Sequence, residues 1–232
     1  ADHGHEARQF FAADGEEIQD FVAAVAGSSP YLKGLIEKEH QWLRGAFAQP
    51  DAALKVEFSN LKATAGSDLM SALRRAKRRV ALWTALCDLA GVWALEEVTE
   101  ALSKFADLAC QISLNHALKV QLQRGKIPTR KPETDPAGLG MFILAMGKLG
   151  ANELNYSSDI DLICFFDESY FASVDVFEAR AGFIRATKNM VALLNDITAE
   201  GYVFRTDLRL RPDPSVTPVC MGVEAAEHYY ES

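Results

Sequence analysis

Apolar residues recur at three- and four-residue steps from Glu16 to Arg124, and beyond Gly138 they gather into short strand-like runs. Between these regions lies "RGKIPTRKPETDPAG", Arg124 to Gly138, whose three prolines and mixed charges favour an extended, solvated backbone. A chain whose period changes once at such a stretch is expected to build two parts. The reading is a helical N-terminal region over residues 1–124, a linker over 125–137, and a mixed domain over 138–232, an α/β fold of the α+β kind. With 232 residues and 49% hydrophobic content, the chain can bury a sizeable core.

In the first part, Ile18, Phe21, Val22 and Val25 make one helical face before the break "GSSP". Ser29 is placed to cap the next helix and Pro30 to occupy its first turn, where a missing N–H costs nothing. Leu32, Leu35, Ile36, Leu43 and Phe47 supply its buried side, and a shorter helix follows Asp51. The segment "SDLMSALRRAKRRVALWTALCDLAG" offers Ser67 as a cap, a stripe of Leu69, Leu73, Ala76, Val80, Trp83 and Cys87, and Gly91 as a stop. Leu95, Val98, Leu102, Phe105, Ala109 and Ile112 then define another helix. The basic run Arg74, Arg75, Lys77, Arg78 and Arg79 is expected to be a solvated face, with docking to an acidic catalytic domain or protein partner as the alternative. Trp42, Trp83 and Trp93 are assigned to the core, and His116 to a structural role.

In the second part, "MFILAM" and "IDLICFF" read as strands, and a long helix runs from Val176 to Ala199 with Phe183, Met190, Leu193, Leu194 and Ile197 inward. Gly201 ends that helix. "YVFRTDLRLRP" and "VTPVCM" are two further strands, followed by a terminal helix. Residues two apart in a strand share a face, so Asp159 and Asp161 stand side by side while Ile160 and Leu162 enter the core. Paired carboxylates repel unless a cation separates them, and hard oxygen ligands favour Mg²⁺. By the same rule Asp207 shares a face with Arg205, Arg209 and Arg211. If the two strands are neighbours, three carboxylates can hold two Mg²⁺ ions while arginines neutralise phosphate oxygens, an arrangement suited to phosphoryl or nucleotidyl transfer. The turn Gly147 to Gly150 lets backbone N–H groups approach a phosphate, with Lys148 adding charge, but it is neither a P-loop nor a dinucleotide fingerprint.

A net charge of −8 argues against a broad grip on nucleic acid. Cys87, Cys110, Cys164 and Cys220 lack CxxC spacing and read as reduced core residues of a cytoplasmic protein. His3 and His5 sit in a polar N-terminus expected to fray, and no His/Cys ligand set emerges. No apolar run approaches the ~20 residues that cross a bilayer, so no membrane partner is expected. The first residue is not Met and the last ones break off inside an amphipathic pattern, which points to a fragment of a longer chain.

A glycine turn followed by Asp-apolar-Asp-apolar in a strand, with another Asp on a later strand, resembles the nucleotidyltransferase superfamily built on the polymerase-beta type of palm. The longer words "MGKLGANELNYSSDIDL", "FRTDLRLRPDPSVTP" and "EAAEHYYES" are similar to the family of bifunctional glutamine synthetase adenylyltransferase/adenylyl-removing enzymes. That family carries two nucleotidyltransferase domains, and "ELNYSSDIDL" with "FRTDLRLRPDP" is similar to the N-terminal, adenylyl-removing one. The first half resembles it through "LRRAKRRVALWTALCDLAG" and "LEEVTEALSKFADLA".

The resemblance implies a polymerase-beta-like catalytic domain at residues 138–232, truncated at its C-terminal end, with a small mixed or antiparallel sheet. It implies that Asp159, Asp161 and Asp207 are catalytic, metal-binding acids, and that Gly147, Lys148, Ser158, Arg209 and Arg211 lie in nucleotide-facing motifs. Lys148 stands where many superfamily members have Gly or Ser, and Ala151 and Asn152 replace the more usual Gly-Arg. The implied activity is removal of AMP from a tyrosine of glutamine synthetase by Mg²⁺-dependent phosphorolysis, with inorganic phosphate attacking and ADP leaving. ATP-dependent adenylylation of that tyrosine is one alternative, and a non-catalytic nucleotide-sensing or docking module is another. Glutamine synthetase is the implied partner, with a PII-type nitrogen signal protein acting through the full-length enzyme.

Overall fold

The computed structural model describes residues 15–129 and 135–231, so His3, His5 and residues 130–134 of the expected linker lie outside the described residues. The leading part is helical. α1 (Glu16–Ser28) buries Val22 and Val25. The Ser29 hydroxyl accepts a hydrogen bond from the Leu32 N–H at 3.3 Å and starts α2 (Pro30–Ala48), as its sequence predicts. α2 kinks at Glu39, where φ is −115° and ψ is 15°. α3 (Ala53–Ala63) leads to α4 (Leu69–Leu89), whose expected apolar stripe is buried throughout. Its start departs from expectation: Gly66–Asp68 form a 3-10 turn, and the Ser67 hydroxyl donates to Asp68 Oδ1 instead of capping the helix. α5 (Leu95–Gln123) buries Val98, Leu102, Phe105 and Ala109, but Leu95 itself is exposed.

The stretch expected to be solvated turns inward before residue 130. Ile127 is buried, and the chain passes so close to Gly182 that a Cβ there would lie 2.4 Å from the Lys126 carbonyl oxygen. Gly182 belongs to α7 (Val176–Asn195), which packs along α5.

The sheet is small and mixed, and it surrounds one interior strand. β2 (Ile160–Phe166) pairs antiparallel with β1 (Met141–Met146) on one edge. On its other edge it pairs in parallel first with β3 (Thr206–Asp207) and then with β4 (Cys220–Gly222). Leu162 and Ile163 fall between these two ladders, so that edge is split. Nearly every residue of β2 is buried, as a strand covered on both faces requires. A single helical turn, α6 (Gly147–Gly150), follows β1, and α8 (Val223–Glu231) follows β4.

Two expectations for this part are corrected. α7 ends at Asn195, short of Ala199, and a tight turn joining Thr198 to Gly201 leaves Ile197 exposed. The segment "YVFRTDLRLRP" supplies only the two residues of β3, and turns begin at Arg209. Strand alternation therefore does not place Arg209 and Arg211 on a face with Asp207.

One apolar core runs through both parts, joining Leu73, Phe105 and Leu118 of the helices to Ile160, Phe166 and Phe183. A second gathers Leu35, Leu43, Leu82 and Trp83 around α2 and α4. The opposite face of the sheet is closed by α8, where Ala226 packs on Ile163, Phe165 and Met221. All four cysteines are free and buried, and burial pushes the Cys110 and Cys164 thiols up to about 12.

Candidate functional site

The parallel register of β2 and β3 sets Asp161 directly beside Asp207. Neighbouring strands lie about 4.8 Å apart, so two like charges stand level on one end of the sheet. The turn after β1 meets them there. Gly147 adopts φ +57°, and a Cβ at that position would lie 2.9 Å from Asp161 Oδ2. Glycine thus supplies both the left-handed turn and the room for the carboxylate. The first amides of the turn that follows have no acceptor within it, and Lys148 is exposed on it.

Each outer carboxylate is held by an arginine. Arg209 donates from Nε to Asp207 Oδ1 and Oδ2, both at 3.0 Å, and from Nη2 to Oδ2 at 2.6 Å. Its backbone N–H adds a bond of 2.8 Å to Oδ1. The hydrogen bonds from Arg209 hold the Asp207 carboxyl below the usual carboxylate range, and Asp207 in turn raises the Arg209 guanidinium, with Asp161 adding to the effect. Asp159, just before β2, accepts from Arg205 Nε at 2.5 Å. Among the described residues, nothing donates to the half-buried Asp161 carboxylate.

Two residues expected in nucleotide-facing motifs are engaged elsewhere. Ser158 donates from Oγ to Asn155 Oδ1 at 2.6 Å, which shapes the loop before β2. Arg211 turns back into its own loop and donates to the carbonyls of Leu208 at 2.7 Å, Pro214 at 2.8 Å and Thr217 at 3.2 Å. That guanidinium braces the 208–217 loop.

The donor set suits a hard divalent cation. Asp161 and Asp207 stand level on adjacent strands, Gly147 leaves space against one of them, and an exposed guanidinium partly neutralises the pair. The third acid is not gathered with them. Among the described residues, no group of three or more His, Cys, Asp or Glu side chains is arranged to hold a metal, and Asp159 is paired with Arg205 instead.

The helical half contacts this site through residues that sequence reasoning missed. The buried Ser103 hydroxyl on α5 accepts from the Leu154 N–H at 3.1 Å, and Tyr156 donates from its hydroxyl to Asp88 Oδ2 at 3.1 Å. Both fix the loop leading to Asp159. Of the basic run on α4, Arg75 alone is exposed as expected of a solvated face. Arg74 is buried, and Lys77 lies 4.1 Å from the centroid of the Phe204 ring. Arg78 and Arg79 each donate from Nε to Glu39 at 2.8 Å. The available signal was position: Arg74 and Lys77 directly follow Leu73 and Ala76 of the buried stripe.

A glycine turn packed against one of two carboxylates that stand level on adjacent parallel strands is an arrangement suited to phosphoryl or nucleotidyl transfer. The glutamate-ammonia ligase adenylyltransferase family model matches residues 18–232. The chain belongs to that family. It is 43% identical over 219 residues to the bifunctional glutamine synthetase adenylyltransferase/adenylyl-removing enzyme of Bradyrhizobium sp. (strain BTAi1 / ATCC BAA-1182), covering 92% of this chain and 22% of that relative. The protein of the same name from Brucella suis biovar 1 (strain 1330) is 41% identical over 226 residues, covering 93% of this chain and 23% of the relative. The one from Agrobacterium fabrum (strain C58 / ATCC 33970) is 38% identical over 224 residues, with 92% and 23% covered. The chain thus spans less than a quarter of the length of these curated relatives. Among the described residues, no helix is long and apolar enough to cross a membrane.

Proposed function

We propose that this chain carries adenylyl-removing activity: phosphorolysis of AMP from an adenylylated tyrosine of glutamine synthetase, releasing ADP and so regulating nitrogen assimilation. The observation that carries this reading is the level pairing of Asp161 with Asp207 against Gly147. Family membership and the likeness of "ELNYSSDIDL" and "FRTDLRLRPDP" to the adenylyl-removing region support it.

On this reading Asp161 and Asp207 would hold Mg²⁺, and Asp159 would be the further acid nearest to them in sequence. The bound cations would neutralise charge on the phosphorus oxygens and favour in-line attack. Arg205 and Arg209, released from their carboxylates, turn to the phosphate oxygens, with Lys148 beside them. The Gly147 turn keeps its backbone close to the adenylyl group. A phosphate oxygen forms the new bond to phosphorus, the bond from phosphorus to the tyrosyl oxygen breaks, and the proton carried by HPO₄²⁻ ends on that oxygen. Residues 138–232 carry the chemistry and the helices support them. Glutamine synthetase is the protein substrate, a PII-type signal protein acts through the longer chain, and the setting is cytoplasmic.

The test mixes this chain with adenylylated glutamine synthetase, Mg²⁺ and inorganic phosphate and follows ADP. Phosphate-dependent ADP is expected, falling by about a hundredfold or more in Asp161→Asn, since transition-state charge loses its counter-ion. ADP at the parent rate from a folded Asp161→Asn would sink the site assignment. AMP incorporation from ATP into unmodified enzyme, without the phosphorolytic reaction, would reverse the direction.

A further inference from the structure

We infer that Arg74, on helix α4 of the helical half, is a positioning residue that sets where Asp207 stands. This rests on the proposed role of Asp207 in holding a divalent cation. A two-residue strand has too few ladder bonds to define its own register, so the position of β3 depends on what holds the chain leading into it.

That chain is held from α4. Arg74 is 1% exposed and donates from Nε to the Gly201 carbonyl at 2.8 Å, from Nη1 to Leu193 O at 3.2 Å, and from Nη2 to Asp196 O. One guanidinium thereby joins the last turn of α7 to the tight turn after it. Two neighbours on α4 strengthen the hold, with Ser71 donating to Glu200 at 3.0 Å and Arg78 lying 3.4 Å from the same carboxylate. Further along, the N–H groups of Val203 and Phe204 both donate to Leu194 O, and Lys77 covers the Phe204 ring. The Ile160 N–H then donates to Arg205 O at 2.9 Å, which leads directly into the pairing of Asp161 with Asp207. Nη1 also donates to Met70 O within α4 at 2.9 Å; if Arg74 is lost, the three carbonyls between Leu193 and Gly201 lose their shared donor and the segment 196–207 loses its main tie to α4. A carboxylate pair that must share a cation tolerates little movement.

The test titrates Mn²⁺ into the parent chain, Asp207→Asn, Arg74→Gln, Arg74→Lys and Glu200→Ala, reading free Mn²⁺ by electron paramagnetic resonance. Near-ultraviolet circular dichroism verifies that each variant is folded. Arg74→Gln should weaken Mn²⁺ binding about tenfold, the range seen when a group supporting a metal ligand is removed, and Arg74→Lys should recover part of it. A merely structural arginine would lower the urea midpoint and leave the affinity of the folded protein unchanged, and that result overturns the inference. If Arg74→Gln does not fold, Glu200→Ala decides, because it cuts two contacts to the same turn and leaves the buried arginine in place. An affinity loss of about threefold is expected there, and none overturns the inference. Equal Mn²⁺ affinity in the parent and Asp207→Asn would remove the underlying metal reading, whatever the Arg74 variants do.

Discussion

The arginine pairs of the helical half are shielded from water and those at the sheet end are open to it. Glu39 is 4% exposed and receives Arg78 and Arg79 together, while Arg79 also reaches the buried Glu57 at 3.0 Å. At the site, Arg205 and Asp159 are 59% and 50% exposed, and Arg209 is 82% exposed. Breaking a buried pair strands a charge in low dielectric, whereas an exposed pair exchanges its partner for water or an ion at little cost. The same pairing of guanidinium with carboxylate thus braces one region and leaves the other able to rearrange. The second kind of pairing is the one that the proposed function, with its cation and phosphate, would use.

The largest effect is expected at Glu39. Glu39→Ala leaves two guanidinium groups without their shared acceptor and should destabilise the chain by about 3–5 kcal/mol in urea unfolding. A loss below about 1 kcal/mol, the range of exposed pairs, would erase the distinction between the two regions. Lys77 sharpens it by pH. Burial lowers its ammonium to about 8 in the folded chain, below its ordinary value of 10.5, so the unfolded chain holds the proton more tightly. Stability should therefore be level below about pH 8 and climb between there and about 10.5, by about 3 kcal/mol, and Lys77→Met should abolish the climb.

Gly147→Ala tests the crowding at the site. A left-handed backbone without glycine costs roughly 1–2 kcal/mol, and the added methyl meets Asp161, so metal-dependent turnover should fall with the urea midpoint. Smallest of all, Arg205→Ala should change stability by about 0–1 kcal/mol while weakening the response to phosphate concentration. A larger stability loss would place that pair with the buried ones.

Local signals in the sequence were informative where neighbours along the chain settle the structure. Ser29 before Pro30 marked a helix start, and the apolar steps from Leu69 to Cys87 marked the buried side of α4. Alternation paired Asp159 with Asp161 and brought in Asp207 only if the strands were neighbours; they are, and Asp161 stands beside Asp207, while Asp159 lies just before β2 on Arg205. What failed was local pattern extended past its range. Alternation along "FRTDLRLRP" assumed a strand that turns after two paired residues, so Arg211 became a loop brace. Charge on α4 said nothing of what would cover it, because three of the four carbonyls that Arg74 meets lie more than a hundred positions away in sequence.

The split edge of β2 bears on how this molecule can change over generations. β3 and β4 each take their register from β2 and not from one another, so the chain between Asp207 and Cys220 crosses from one ladder to the next as a detachable bridge. Insertions and deletions in that bridge leave both registers in place. Because it starts beside the Asp161–Asp207 pair, such changes would rebuild the surroundings of the candidate site while leaving that pair where it stands, a route by which one scaffold can be fitted to different macromolecular substrates.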